Sequence, residues 1–165
     1  MLPIIVTDRL KLLPCTLEEP DRLCGLWMYP GIREFLFSEN DISRDKLAGL
    51  IAGDIARAGE RNVGFWTIEA NDDPAAIGFC GFRPMEDKTK IELLYGLKPE
   101  YQGRGLAMEA VTASLEYVWT ATDFQGVYAR SEASNVKSLE LIHRLGMRLH
   151  KTGSDRMVFR LDRPA

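Results

Sequence analysis

Two glycines flank an arginine in Gln102-Gly103-Arg104-Gly105-Leu106-Ala107, just after Pro99 and directly ahead of an alanine-rich, helix-patterned stretch. Glycine lets the backbone take positive φ and lets a ligand approach closely. The first N–H groups of a helix have no intrahelical partner, and the helix dipole adds positive potential there. Flexible backbone leading into a helix is therefore a ready anion site, to which Arg104 adds a forked, charged donor. The same residues also suit a tight strand-to-helix turn, and on these residues alone both readings stay open. Two familiar clients are excluded. The nucleotide P-loop string G-x-x-x-x-G-K-S/T does not occur. The dinucleotide fingerprint needs a third glycine where Met108 stands, on a loop that follows the first strand of a βαβ unit.

The elements that must position this loop follow from periodicity and punctuation. "IIVTDRLKLLP" reads as a first strand. Pro20 opens a short helix with Leu23, Leu26 and Trp27 on one face. Ser43 caps a second, with Leu47, Leu50, Ile51, Ile55 and Ala58 at helical spacing and Gly59 placed to close it. Three strands, 63–69, 75–82 and 90–97, form an antiparallel meander joined by the turn chemistry of "NDDP" and "RPMEDKT". After the glycine loop come a helix over 106–119, a short strand over 126–131, and a helix capped by Asn135 and ended by Gly146. The tail reads as a hairpin. The fold class expected is α/β (α+β): one domain over 1–165, a mixed, mostly antiparallel sheet with helices on both faces.

Composition narrows the function classes. The 165 residues are 45% hydrophobic and 27% charged, with net charge −3. Scattered Lys and Arg and this acidic balance argue against a nucleic-acid partner. No apolar run approaches a membrane span, and the first residues lack the pattern of a signal peptide. Cys15, Cys24 and Cys80 contain no C-x-x-C pair and, with two histidines, make a poor metal set. We expect a cytoplasmic protein with no metal and no membrane partner.

The glycine motif and its surroundings resemble the GNAT acyl-CoA N-acyltransferases. Gln102 to Ala107 matches that family's Q/R-x-x-G-x-G/A signature. "YGLKPEYQGRGLAMEA" is similar to its fourth strand, loop and third helix, and "ARSEASNVKSLELIHRLGM" to its fifth strand and fourth helix. "IIVTDRLKLLPCTLEEPDRL" is similar to the opening of the RimJ/RimL-like branch, which includes the ribosomal-protein N-terminal acetyltransferases. The resemblance implies the GNAT fold with splayed fourth and fifth strands and acetyl-CoA as acyl donor. Its pyrophosphate would lie on the loop Gln102, Gly103, Arg104, Gly105, Leu106 and Ala107. The pantetheine arm would run beside the strand ending at Leu97, with Asn135 reaching it. A homodimer is a further habit of the family.

The implied reaction moves an acetyl group from a thioester to a primary amine, of a protein N-terminus or a small molecule. Such an amine is mostly protonated at neutral pH and must lose a proton before attack. Glu92 is the base candidate, on the strand that flanks the thioester, and a strand amide is expected to serve the oxyanion. Alternation puts Glu92, Leu94 and Gly96 on one face and Leu93, Tyr95 and Leu97 on the other. The tyrosine acid common in the family falls here on Ile142, so that role is not carried over. Ser138, three residues after Asn135, matches the branch's serine for the thiolate. His143 and His150 read as surface or packing residues. Trp27, Phe35, Phe37 and Trp66 read as core, some of them shaping an acceptor wall. The acid-rich stretch 34–45 would suit a cationic amine, although a solvated loop explains it as well. The rival reading is a catalytically silent acyl-CoA-binding domain, and within the enzyme class a longer-chain acyl donor.

Overall fold

The computed structural model describes residues 1–36 and 42–165. Its strands are β1 (Ile5–Val6), β2 (Leu10–Pro14), β3 (Phe65–Ala70), β4 (Asp73–Pro84), β5 (Ile91–Leu97), β6 (Gly126–Ser131), β7 (Arg148–Thr152) and β8 (Met157–Asp162). Its helices are α1 (Pro20–Met28), α2 (Pro30–Leu36), α3 (Arg44–Gly59), α4 (Leu106–Ala121) and α5 (Val136–Arg144). The strands form one sheet in the order β1-β2-β3-β4-β5-β6-β8-β7, antiparallel throughout except for the parallel pair β5–β6.

Both faces of the sheet's centre are covered, which is why β3 and β4 read as nearly continuous apolar runs. Alternation divides them. Trp66, Ile68, Cys80, Phe82 and Leu93 pack with Ala110, Val111 and Leu115 of α4. Phe65 and Phe79 pack with Leu23 and Trp27 of α1 and Leu47 and Ile51 of α3. A smaller cluster joins Ile142 of α5 to Ala129 and Phe159 under the end of the sheet.

The expected opening strand is instead a hairpin. Thr7 N–H donates to the Leu10 carbonyl (2.9 Å) and Leu10 N–H to Thr7 Oγ1 (3.0 Å), closing a turn between β1 and β2. Threonine's hydroxyl competes for backbone groups in this way, and periodicity alone does not reveal it. Two details of α3 also differ. The helix runs through Gly59 and the chain turns at Asn62, whose φ is 56°. Leu50 is exposed, off the buried stripe of Leu47, Ile51, Ile55 and Ala58. Ser43 and Asn135 do cap α3 and α5, accepting from the N–H groups of Lys46 and Ser138. Phe37 and the centre of the acid-rich stretch lie outside the described residues, as do the side chains of Glu34 and Phe35.

Candidate active site

The site begins with a break in the sheet. Among the described residues β5 and β6 pair only at Ile91–Val127 and Glu92–Tyr128. Beyond Glu92 the two strands part, and the edge of β5 from Leu93 to Leu97 faces a slot instead of a strand. The slot widens into a cavity of about 390 Å³. Nine of the ten residues expected from the sequence line it: Glu92, Leu97, Gln102, Gly103, Gly105, Leu106, Ala107, Asn135 and Ser138. Arg104 is the exception. Its guanidinium lies 5.8 Å from the Tyr101 ring and its carbonyl accepts from Arg9.

At one end stands the start of α4. Gly103 and Gly105 both have φ of 76°, a conformation that costs a side-chain-bearing residue roughly 1–2 kcal/mol. Gly105 is the N-cap and has no side chain with which to close the helix end. The first helical bond runs from Glu109 N–H to the Gly105 carbonyl (3.1 Å), so the preceding amides point out of the helix end. The hairpin turn buttresses this end. Glu109 accepts from Thr7 Oγ1 (2.6 Å), Arg9 N–H (2.9 Å) and Arg9 Nε (2.7 Å), while Arg9 Nη1 donates to the Arg104 carbonyl (2.8 Å). Burial would raise the Glu109 pKa, but these Thr7 and Arg9 bonds hold it below the ordinary value. Arg9 therefore sits beside the glycine loop as a fixed cation. Sequence reasoning missed it, because 95 residues separate it from Arg104. Across the loop, Gln102 donates to the Leu97 carbonyl (3.1 Å) and accepts from Lys137 Nζ (2.9 Å), tying β5 to α5.

In the middle of the slot a second missed residue reaches across from β5 to α5. The hydroxyls of Tyr95 and Ser138 lie 2.8 Å apart, and Tyr95 also donates to the Ser138 carbonyl (3.3 Å). Burial pushes the Tyr95 hydroxyl up to about 12, against a smaller lowering by the Ser138 bond, so it stays protonated at neutral pH. Alternation placed Tyr95 opposite in face to Glu92, but nothing local pairs it with a residue 43 positions away.

At the far end lies Glu92, only 4% exposed. It takes Arg130 as a forked pair, Nε at 2.6 Å and Nη2 at 2.7 Å, and Arg83 Nε at 3.1 Å from the facing strand. Arg83 continues to Asp54 (3.2 Å), which also holds Arg57 (2.5 Å). Burial would raise the Glu92 pKa, yet the bonds and charges of Arg130 and Arg83 outweigh it and keep the carboxyl below its usual value. Beside it Leu94 packs toward the α1–α3 layer, which settles that Glu92's face is the one roofed by α1, α2 and α3. His143 and His150 are exposed, make edge contacts with Phe159 and Tyr128, and do not line the cavity. Trp27 and Trp66 are core residues. Among the described residues no cluster of side chains could hold a metal, and no helix is long and apolar enough to cross a membrane.

This architecture has many counterparts. An acetyltransferase from Agrobacterium tumefaciens superposes with a TM-score of 0.82 at 21% identity, covering 98% of this chain and 95% of that one. RimL, a ribosomal L7/L12 alpha-N-protein acetyltransferase solved with coenzyme A, gives 0.78 at 14% identity, covering 96% and 97%. In sequence, the chain is 27% identical over 146 residues to the uncharacterized N-acetyltransferase p20 of Bacillus licheniformis, spanning 86% of this chain and 80% of that protein. It is 26% identical over 147 residues to the uncharacterized N-acetyltransferase YoaA of Bacillus subtilis, spanning 88% and 83%. The family model for the acetyltransferase (GNAT) domain matches residues 9–148, from the arginine that buttresses the glycine loop to the start of β7, and the chain belongs to that family of acetyltransferases.

Proposed function

We propose that the protein transfers an acetyl group from acetyl-CoA to a primary amine. The observation that carries this is the slot where β5 and β6 part, with the glycine-rich start of α4 at one end and the Glu92–arginine cluster at the other. The pyrophosphate would rest on the amides of Gly103 to Ala107, with Arg9, Arg104 and Lys137 supplying positive charge. The pantetheine would lie along the edge of β5 between Leu97 and Asn135, as an added strand. The thioester carbonyl would then face the unpaired amides of β5.

In this reading the free amine attacks the thioester carbon and its surplus proton leaves to water. The tetrahedral oxyanion is held by a β5 amide, then collapses to amide and thiolate. Ser138 donates to the departing sulfur. Tyr95, kept protonated, turns its one proton from the Ser138 carbonyl to the nearer Ser138 Oγ and so leaves the serine proton directed at the thiolate. Glu92 is a weak base at neutral pH because two guanidiniums hold its charge. We assign it the fixing of Arg83 and Arg130 instead of proton abstraction. The three unpaired cysteines support a reducing, cytoplasmic setting. Self-association is read from family habit, and a light-scattering mass equal to one chain would end it.

The test is release of free thiol from acetyl-CoA in the presence of a panel of primary amines, with the acetylated amine identified by mass. Acetyl-CoA binding without turnover on any amine would replace this reading with a silent acyl-CoA-binding domain. Faster turnover with longer acyl-CoA donors would change the donor.

A further inference from the structure

The cavity carries more guanidinium than its carboxylates neutralise. Arg83, Arg130, Arg144 and Arg156 line the cavity, with Glu92 and Glu140. Asp54 and Glu92 serve three arginines between them, Arg57, Arg83 and Arg130. Glu86, exposed, acts on Arg130 only through space. Arg156 makes no ion pair among the described residues. Counting the lining and the network behind it, five guanidiniums stand with four carboxylates.

The arrangement matters more than the count. A guanidinium has five N–H donors. Arg130 gives Nε and Nη2 to Glu92, and Arg83 gives Nε to Glu92 and Nη1 to Asp54. Arg130 Nη1 and Arg83 Nη2 donate to no other group among the described residues, and the two side chains remain 38% and 29% exposed. Glu92 and Asp54 have thus already fixed the planes of both forks. A carboxylate arriving there meets oriented donors and need not order flexible side chains. A pocket for a polycation would show the opposite surplus, and a simple uncharged amine would need no guanidinium.

We propose that the acceptor is an amine carrying its own carboxylate a few bonds from the nitrogen, and that this carboxylate docks on Arg83 and Arg130 with Arg156 at the rim. The inference rests on the acetyl-transfer reading and names the substrate class of that same site. The chemistry is shared by a free amino acid and by a peptide with an acidic residue beside its N-terminus, and the test separates them.

The experiment compares matched acceptors with the full chain: amino acids against their carboxamides, and peptides with Asp against Lys at the second position. Each pair is compared at equal concentrations of free amine. The carboxylate member is expected to have a kcat/KM about tenfold or more higher, the range of one charge-assisted hydrogen bond. Arg156→Ala, which breaks no ion pair of the network, should pull that ratio toward one. Preference for amino acids over Asp peptides identifies a small-molecule substrate, and the reverse a peptide. Calorimetry of the same pairs against CoA-saturated protein reads docking without turnover. Tighter carboxylate binding with no acetylation would uphold the arginine site and defeat the transfer reading. Turnover that is equal for both members, or better for the amides or Lys peptides, would overturn the arginine site and leave transfer standing. Binding of neither member would also overturn it.

Discussion

Glu92→Gln separates the two roles a carboxylate at this position can have. A free base would lose turnover on this change while the fold was untouched. An anchor for two arginines should instead cost stability. Removing one partner of a fully buried ion pair costs about 3–5 kcal/mol, because the surviving charge is stranded. Here Glu92 is buried, but Arg83 and Arg130 are 29% and 38% exposed and recover part of their hydration. The glutamine oxygen also still accepts one bond. Scaling for both effects gives a loss of about 2–3 kcal/mol. For a domain of this size that is a fall in Tm of about 4–12 °C.

The pH dependence has a definite sign. The folded pKa of Glu92 lies below its ordinary value, so its contribution is present above the unfolded carboxyl pKa and fades as pH falls through the folded one. The gap between wild type and variant in urea denaturation should be full at pH 7 and should narrow below about pH 4. A stability change under about 0.5 kcal/mol, together with loss of the acidic limb of the pH–rate profile, would refute the anchor and restore the base.

Gly105→Glu should abolish acetyl-CoA binding in calorimetry, because it sets a carboxylate where we propose that the pyrophosphate rests. Gly105→Ala should keep measurable binding and lose about 1–2 kcal/mol of stability, since φ is 76° and the nearest atom to an added Cβ, Arg9 Nη2, is 3.5 Å away. Arg9→Ala should weaken acetyl-CoA by roughly tenfold at low salt, with the difference shrinking as salt rises. Tyr95→Phe and Ser138→Ala should each lower kcat by ~10- to 100-fold with little change in acetyl-CoA affinity. The double variant should be no worse than the worse single one. Additive losses would show that the two hydroxyls act separately.

Much of the fold was legible because its signals are local. Ser43 and Asn135 cap their helices through atoms three residues away, and the glycine loop needs two positive-φ residues ahead of a helix start. The order of strands and helices predicted a sheet covered on both faces, and both faces of its centre are filled. The hairpin at Thr7 was missed because a single side-chain hydroxyl decides it. Sequence by itself therefore determined the elements, their order and the glycine turn at the start of α4. It could also place Glu92 and Tyr95 on opposite faces of one strand. Only the tertiary structure decided what each of them meets. Pairing of β5 with β6 stops at Glu92, and that stop brings Arg130 onto Glu92 and Ser138 onto Tyr95 from 38 and 43 residues away. The character of a carboxylate or a phenol is set by the charge and burial around it, and those neighbours are assembled by sheet register, which no local pattern encodes.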